Sequence, residues 1–330
     1  MELFCKTDIL VPSEGTDFTK WSVIACDQHT SEPEYWDGLS DYIGGAPSTL
    51  RMMLPEAWLS RAGSSTEDIH SAMRKYLSED IFRTVSNSYI YLERTLSNGK
   101  IRRGLIGGIN LKANLLSTEG IVEDRLPARI AIRKSAPLEM PHALVFAEED
   151  VFSTVVKGEL LYDFDLNMNG GHIRGWQADA DCSIIRSLAI ADGNHSIAAA
   201  KRCGDDYALA ELLNIYDDAV EFYPIHRVLL GTDTSDLPSK IMSCDSVEAA
   251  EQFCRDYVRD HGGTIDYIHN NDTAVRLGVL QGNAAVLLPA ISKADFFDRI
   301  RRDGPFPKKS FSIGLANDKR YYLECRKIND

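Results

Sequence analysis

Short apolar runs alternate with polar, glycine-containing turns along most of the 330-residue chain, which is the pattern of an α/β protein. Two strand-like runs, 89–95 and 101–111, flank Ser97-Asn98-Gly99. An Asn-Gly between two such runs is a strong signal for a β-hairpin. The sequence therefore predicts an α+β mixed sheet with at least one antiparallel pair.

Other elements of the first two thirds follow from the same patterns. Strands are predicted where short apolar runs end at turn signals, at 21–25, 143–146, 151–156, 183–191 and 220–230. Helices are predicted at 66–83 after a capping box Ser64-x-x-Glu67, at 197–202 before Gly204, and at 207–215. The glycine-rich stretch NMNGGHIRGW predicts a turn with a close backbone approach.

The composition becomes more polar from about residue 232, and a second α/β series follows. Helices are predicted at 247–260 and 293–302, and strands near 274–279, 284–288, 310–313 and 321–326. The predicted domains are a core over 1–235 and a smaller C-terminal α/β lobe over 236–330.

The strongest candidate for chemistry is the predicted strand-to-helix turn Asp192-Gly193-Asn194-His195-Ser196. A helix start presents backbone N–H groups and the positive end of the helix dipole, so such a turn binds phosphate or carboxylate well. His195 can donate to a phosphate or transfer a proton. The alternative is structural, because Asp, Asn and Ser before a helix are ordinary caps.

Charge and cysteine content narrow the class of protein. The formal net charge of -13 disfavours a dedicated nucleic-acid-binding role, because the average surface field repels a phosphate backbone. Seven widely spaced cysteines without a Cys-x-x-Cys pair indicate neither a disulfide framework nor a zinc knuckle. With no signal-peptide pattern and no long apolar stretch, the expected location is the cytoplasm, with no membrane partner.

Several stretches resemble one family when taken together. The turn appears as ADGNHSIAAAK, and other matching stretches occur in order over about residues 10–230: WSVIACDQHTSEPEYW, APSTLRMMLPE, YIYLERTLSNGKIRRGLIGGINL, TEGIVEDRLPARI, YDFDLNMNGGHIRGW and YPIHRVL. On these motifs the chain is identified as a member of the uncharacterised bacterial family called domain of unknown function 1015.

That family in turn resembles the ParB/sulfiredoxin-like superfamily, whose members carry an Asp-Gly-His-His-Arg type turn that binds nucleotide phosphate. The resemblance implies a ParB/sulfiredoxin-like core with an N-terminal elaboration. It also implies phosphate contacts from Gly193, Asn194, His195 and Ser196, and ATP, ADP or another nucleotide as ligand, with Mg²⁺.

The turn departs from the superfamily pattern at two positions. It lacks the arginine that clamps phosphate, so another cation must replace it. Arg227, next to His226, is the first candidate, and Arg125, Arg129 and Arg174 are weaker ones; each is otherwise an ordinary structural arginine. Asn194 stands where sulfiredoxin chemistry needs a cysteine, which disfavours that subclass.

Phosphoryl transfer also needs acids and a pocket. Asp192 suits Mg²⁺, and Glu119 or Glu123 suits a proton acceptor, although 119–133 also reads as a solvated loop of ion pairs. Further pocket candidates are Asp27, His29, His172 and Arg125. Cys26, beside Asp27, is either a reactive thiol or a small buried apolar group.

The sequence therefore favours a nucleotide-dependent phosphotransferase acting on a small polar metabolite. Two alternatives stay open: a nucleotide-binding or nucleotide-hydrolysing regulatory module, and a non-catalytic protein that retains the fold.

Overall fold

The computed structural model describes residues 2–59, 61, 65–121, 123–141 and 143–329, and for Arg125 and Ala316 it describes the backbone only. Within these ranges the helices are α1 (Phe18–Trp21), α2 (Pro33–Ile43), α3 (Thr66–Ser78), α4 (Leu126–Lys134), α5 (Asn194–Cys203), α6 (Val247–His261), α7 (Asn271–Gly278) and α8 (Phe296–Asp303).

The strands of the first two thirds are β1 (Phe4–Cys5), β2 (Thr7–Pro12), β3 (Val23–Ile24), β4 (Phe82–Thr95), β5 (Ile101–Asn110), β6 (Leu116–Ser117), β7 (Leu138–Glu139), β8 (Ala143–Ala147), β9 (Val156–Asp165), β10 (His172–Asp179), β11 (Ala189–Asp192) and β12 (Tyr207–Asn214). Those that follow are β13 (Phe222–Pro224), β14 (His226–Leu230), β15 (Ile241–Ser243), β16 (Thr264–Ile268), β17 (Ala284–Leu287), β18 (Phe311–Ile313), β19 (Tyr321–Tyr322) and β20 (Arg326–Lys327).

The chain divides into two compact units. The first unit comprises residues 1–116, 121–220 and 315–330, and the second comprises 117–120 and 221–314. The predicted division at 235/236 differs from this one in two ways: the second unit starts at Glu221, and the last sixteen residues return to the first unit. The shift in composition near residue 232 lies inside the second unit and marks neither of its boundaries. The unit opens with β13 and closes with β18, and these two strands pair with each other.

A ten-stranded mixed sheet forms the centre of the first unit, in the order β6-β11-β8-β12-β5-β4-β10-β9, with β1 added on β5 and β2 on β4. The predicted hairpin is confirmed: Thr95 pairs with Ile101, and Gly99 has φ 80° at the turn. Ile90 belongs to one apolar cluster, whereas its neighbour Tyr89 belongs to another. Because successive side chains point to opposite faces of a strand, both faces of the sheet are covered.

Three predicted elements are of the wrong type. Most of the predicted strand 151–156 is a 3-10 helix, Val151–Thr154, capped by Asp150. Residues 207–214 form the central strand β12, not a helix, which pairs parallel with β8 and antiparallel with β5. Its run is apolar almost throughout because both faces are buried, and periodicity alone does not separate such a strand from a buried helix. Residues 271–278 form helix α7, capped by Asn270, where a strand was predicted.

Other elements are shorter than predicted or interrupted. Helix α3 is capped by Ser65, and it ends at Ser78 because Phe82 already starts β4. The predicted cap Ser64 lies outside the described residues. The predicted strand 220–230 is two strands in different sheets, β13 and β14.

The C-terminal residues pack into the first unit as short strands. In β19, Tyr321 pairs with Ile24, and in β20, Arg326 pairs with Glu139. Leu323 and Glu324 between them are fully buried. The last segment of the chain is therefore part of the first unit, which also carries the candidate turn.

In the second unit, the four-stranded sheet β15-β17-β14-β16 packs against α6 and α7. The pair β13-β18 carries an aromatic cluster, in which Phe222 stacks on Phe296. Among the helices of the described ranges, none has both the length and the apolar character needed to cross a membrane.

Candidate functional site

Asp192 and Gly193 form the junction between β11 and α5, as predicted. Gly193 is the N-cap residue and has φ 80° and ψ 23°, a left-handed conformation that glycine adopts at little cost. The N-cap residue is therefore a glycine, which has no side chain of its own to cap the helix. The Asp192 side chain instead turns back, and its Oδ1 accepts a hydrogen bond from Gly193 N–H at 2.8 Å.

The first turn of α5 consists of Asn194, His195 and Ser196. Asn194 is buried, while His195 and Ser196 are half-buried. The alanines that follow are also buried, and α5 packs against β8 and β12. Small residues on this face let the helix lie close to the sheet, so the start of the helix is held firmly where the strand ends.

Lys319 supplies the positive charge that the turn itself lacks. Its Nζ lies 3.5 Å from Oδ2 of Asp192, and its side chain is only 13% exposed. A partly buried ammonium group beside a helix start can bind a phosphate as a point charge with three donors. No local sequence motif points to Lys319, which lies within the predicted C-terminal lobe 236–330.

Lys319 is held in place by a buried arginine of β4. Arg94 is 1% exposed and donates hydrogen bonds to the carbonyl oxygens of Asn317 at 2.6 Å, Asp318 at 3.2 Å and Lys319. Burial and the nearby Arg102 lower the pKa of Arg94 to about 10, so it stays charged at neutral pH. The backbone that carries Lys319 is therefore fixed by a charge inside the first unit.

Arg227 and His226 do not serve as predicted. Arg227 is fully buried in the second unit, where it pairs with Glu251 at 3.1 Å and donates to the carbonyl oxygens of Ile225, Lys308 and Lys309. Its guanidinium is occupied by structural contacts and is not available to a phosphate. His226 is also buried, and its Nδ1 accepts a hydrogen bond from Leu288 N–H at 3.1 Å.

His226 is held in its neutral form. Burial, followed by the charges of Arg227 and His269, lowers its pKa. A neutral, buried imidazole that accepts a backbone hydrogen bond belongs to the core of the second unit.

The acids and the arginine predicted between 119 and 125 lie in different places. Glu119 belongs to the second unit, where it forms a bridge with Phe306. Glu123 is exposed and bonds Arg202 through both of its oxygens, at 2.9 and 2.8 Å. Arg202 lies seven residues beyond His195, about 10 Å along α5, so Glu123 lies at the wrong end of the helix to act as a base at the turn. The Arg125 side chain lies outside the described residues.

His29 and His172 have separate environments. His29 stacks on Tyr35 with ring centroids 3.8 Å apart, and its φ is 49°. His172 lies between two carboxylates at the β9–β10 hairpin, 2.7 Å from Asp163 and 2.7 Å from Asp165. The glycine turn before it approaches the backbone closely, as predicted, since a Cβ at Gly171 would lie 2.0 Å from the carbonyl oxygen of Thr95. Arg174 on the same strand pairs with Glu93 at 2.8 Å.

A cavity of about 370 Å³ opens beside α5, entirely within residues of the first unit. Ser196 and Ala199 line it from α5. Its apolar lining includes Met52, Met53, Leu54, Met73, Ile132 and Met140. Small-molecule sites have volumes of about 300–1,000 Å³, so this cavity is large enough for a metabolite, and it reaches the turn at Ser196.

Four polar groups besides Ser196 define one part of this cavity: Cys26, Glu56, Arg129 and Tyr322. Arg129 donates to Glu56 at 2.9 Å, and Cys26 Sγ lies 3.6 Å from the Tyr322 hydroxyl. Burial lowers the pKa of Arg129. The net pKa nevertheless lies above its ordinary value, because of the surrounding groups Cys26, Asp27, Tyr322 and Glu56. Burial, Cys26 and Asp27 raise the pKa of Tyr322 well above its ordinary value, so the phenol stays protonated at neutral pH.

Some of these residues had a sequence signal. Met52, Met53 and Glu56 lie in the matched stretch APSTLRMMLPE, and Arg129 was a weaker cation candidate in TEGIVEDRLPARI. Predicted Asp27 lies near the polar groups, since its charge acts on Arg129 and Tyr322. The structure thus brings Asp192 to Ser196, Lys319 and a cavity together in one unit.

The turn has one carboxylate, that of Asp192, for the predicted Mg²⁺. Among the described residues, no group of three or more His, Cys, Asp and Glu side chains is placed to hold a metal ion. A nucleotide-bound Mg²⁺ needs only one or two carboxylates besides the phosphates. The carboxylate of Asp192, one third exposed, fits that lesser requirement.

Similar solved structures have low sequence identity to this chain. A free serine kinase in complex with AMP is 13% identical with a TM-score of 0.41, covering 66% of this chain and 90% of that chain. SbnI with C-terminal truncation from Staphylococcus aureus is 10% identical with a TM-score of 0.37, covering 64% and 82%. A conserved hypothetical protein from Pyrococcus furiosus is 13% identical with a TM-score of 0.36, covering 63% and 90%. At these TM-scores the similarities carry no argument about function.

The comparison with curated proteins finds no match. The comparison with protein families finds one that spans nearly the whole chain, including the C-terminal segment that returns to the first unit. Its match over residues 10–329 shows that the chain belongs to the family described as "Protein of unknown function (DUF1015)".

Proposed function

We propose that the first unit binds a nucleotide at the Asp192–Ser196 turn and transfers a phosphoryl group from it to a small molecule. The observation that carries the proposal is the position of Lys319, whose ammonium group lies 3.5 Å from Asp192 at the start of a helix whose N-cap residue is a glycine. Helix starts and lysine are both effective phosphate ligands. Together they replace the arginine that the turn lacks.

Four residues of the turn have roles in this proposal. Gly193 lets a phosphate approach the backbone, and the hydroxyl of Ser196 donates a hydrogen bond to that phosphate. One imidazole nitrogen of His195 donates to phosphate, and the other accepts a proton. Asp192 would hold Mg²⁺, which neutralises charge on the transferring group when bound.

The proposed reaction is a direct displacement. An oxygen of the second substrate forms a bond to the terminal phosphorus while the bond from phosphorus to the leaving nucleoside diphosphate breaks. The hydroxyl proton of the acceptor passes to His195. Because the transition state is loose, positioning and charge contribute more than a strong base.

Titration calorimetry with ATP, ADP and CTP, with and without Mg²⁺, tests the site. We expect nucleotide binding by the parent protein and binding at least about tenfold weaker for His195→Ala, since hydrogen bonds to charged groups contribute about 1.5–3 kcal/mol. The control variant His261→Ala removes an imidazole of the second unit and should bind nucleotide with the affinity of the parent.

The results separate the alternatives. Equal binding by the parent and His195→Ala, or binding by neither, would overturn the site assignment. Binding without turnover, or hydrolysis that needs no second substrate, would instead support a nucleotide-dependent regulatory module.

A further inference from the structure

The cavity beside α5 is mainly apolar. Twelve of its twenty described lining residues are Ala, Leu, Ile or Met, and four of these are methionines. Methionine side chains are flexible and polarisable, adapt to irregular apolar ligands and make favourable contacts with aromatic rings. A small polar metabolite would leave most of this surface without a partner.

Two arginines line the same cavity. The Nη2 of Arg133 has no hydrogen bond of good geometry within the described residues, but two carboxylates balance its charge, Glu139 at 2.8 Å and Asp205 at 2.5 Å. Arg129, by contrast, makes a single hydrogen bond within the described residues, from Nη2 to Glu56 at 2.9 Å. A guanidinium has five N–H donors in a planar fork that matches a carboxylate. Arg129 therefore has donors left for an anionic ligand.

We propose that this cavity binds the second substrate and that this substrate is an amphipathic small molecule, with an apolar body against the methionines and a carboxylate bonded to Arg129. The role as phosphoryl acceptor rests on the proposed function, whereas binding in the cavity does not. The position of Ser196 supports the link, because this residue belongs both to the phosphate turn and to the cavity lining.

Three probes separate the two parts of the ligand, measured by titration with the full chain and without nucleotide. 3-Phenylpropionate has both the apolar body and the carboxylate, 3-phenyl-1-propanol has the body alone, and propionate has little more than the carboxylate. We expect 3-phenylpropionate to bind at least about tenfold more tightly than the alcohol, the lower end of what a hydrogen bond to a charged group contributes. Propionate should bind more weakly than both.

Two pairs of measurements locate the binding. Arg129→Gln should reduce the ratio of the affinities for the acid and the alcohol to about one, while the alcohol binds as before.

Ala128→Trp places a large side chain at an exposed position of the lining, and Ala131→Trp does the same at an exposed position of α4 outside the lining. We expect Ala128→Trp to weaken 3-phenylpropionate at least tenfold and Ala131→Trp to leave it unchanged. If Ala128→Trp does not fold, Leu59→Trp, also exposed and in the lining, replaces it.

Other outcomes overturn the proposal. Equal affinity for acid and alcohol, or equal effects of the two tryptophans, would show that the cavity does not select this ligand. Competition between ATP and 3-phenylpropionate, with ATP also weakened by Ala128→Trp, would make the cavity a nucleotide-base site. Binding of 3-phenylpropionate without any nucleotide binding would refute the proposed function and leave the cavity assignment standing.

Discussion

The ammonium group of Lys319 lies 3.5 Å from the carboxylate of Asp192, although the two residues are far apart in the chain. Asp192 ends strand β11, whereas Lys319 belongs to the C-terminal segment that returns to the first unit. Lys319 brings a positive charge to a turn whose own residues offer only backbone, amide, hydroxyl and imidazole donors. The predictions about nucleotide binding depend on this relationship.

Lys319→Ala should weaken ATP binding by about 10- to 100-fold, because a charge-assisted hydrogen bond contributes about 1.5–3 kcal/mol. Lys319→Arg should retain most of the affinity, and the difference between parent and Lys319→Ala should shrink as salt screens the charge. Calorimetric titration at two ionic strengths measures both effects. Lys112→Ala removes an exposed lysine paired with Asp206 and serves as the control; if it weakens ATP to the same extent, Lys319 has no special role.

Gly193→Ala should weaken nucleotide binding, and Gly204→Ala should not. Both glycines have left-handed φ, 80° and 86°, at opposite ends of α5, so each alanine should cost about 1–2 kcal/mol of stability. Only Gly193 lies at the proposed phosphate site. Urea unfolding together with ATP titration separates the shared loss of stability from a loss of binding confined to Gly193→Ala. Parallel losses of affinity in both variants would indicate that strain alone is responsible.

Local signals predicted those parts of the fold and site that depend on neighbouring residues. The Asn98-Gly99 hairpin, the glycine turn near Gly171 and the helix start at Gly193 each follow from a short sequence whose backbone needs are specific. Strand β12 did not follow, because a run buried on both faces has no alternation to detect.

The long-range parts of the site had no sequence signal. The segment that carries Lys319 is held by buried Arg94, which binds three of its consecutive carbonyl groups, and by Ser97, which bonds the side chain of Asp318. Arg227 has the chemistry of a phosphate ligand, and a sequence does not show that its guanidinium is enclosed and paired with Glu251. The further resemblance to the ParB/sulfiredoxin-like superfamily remains a prediction.

Glu211→Gln should destabilise the protein by about 3–5 kcal/mol, the usual cost of leaving buried charges without their partner. Glu211 is fully buried in β12 and pairs with Arg102 at 3.3 Å and with Arg320, the neighbour of Lys319. Asp37→Asn breaks an exposed pair with Arg61 instead and should cost much less, because exposed ion pairs contribute little to stability. Urea unfolding measures both variants, and equal losses would contradict this role of Glu211.

The carboxylate of Glu211 should also make the folded protein less stable at acid pH. Burial raises the pKa of Glu211, but Arg102 and Arg320 outweigh it, and the net pKa lies below its ordinary value. A lowered pKa in the folded state means that the stabilisation is present above the ordinary pKa of a glutamate, about 4.3, and is lost as pH falls through the lowered value. The free energy of unfolding, measured at a series of pH values between 3 and 6, should therefore fall more steeply with decreasing pH for the parent than for Glu211→Gln.

His172 should give a pH dependence of opposite sign. Its hydrogen bond to Asp165 raises its pKa, and Asp163 adds to this effect against the opposing influence of partial burial. A raised pKa means that the stabilisation is complete below the ordinary pKa of histidine, about 6.5, and is lost as pH rises through the folded-state value. Because the side chain is 37% exposed, solvent screens the pair and the effect should be small. His172→Gln should remove this part of the decline in melting temperature above pH 6.5. An unchanged pH profile would show that the two carboxylates do not hold a charged imidazole in solution.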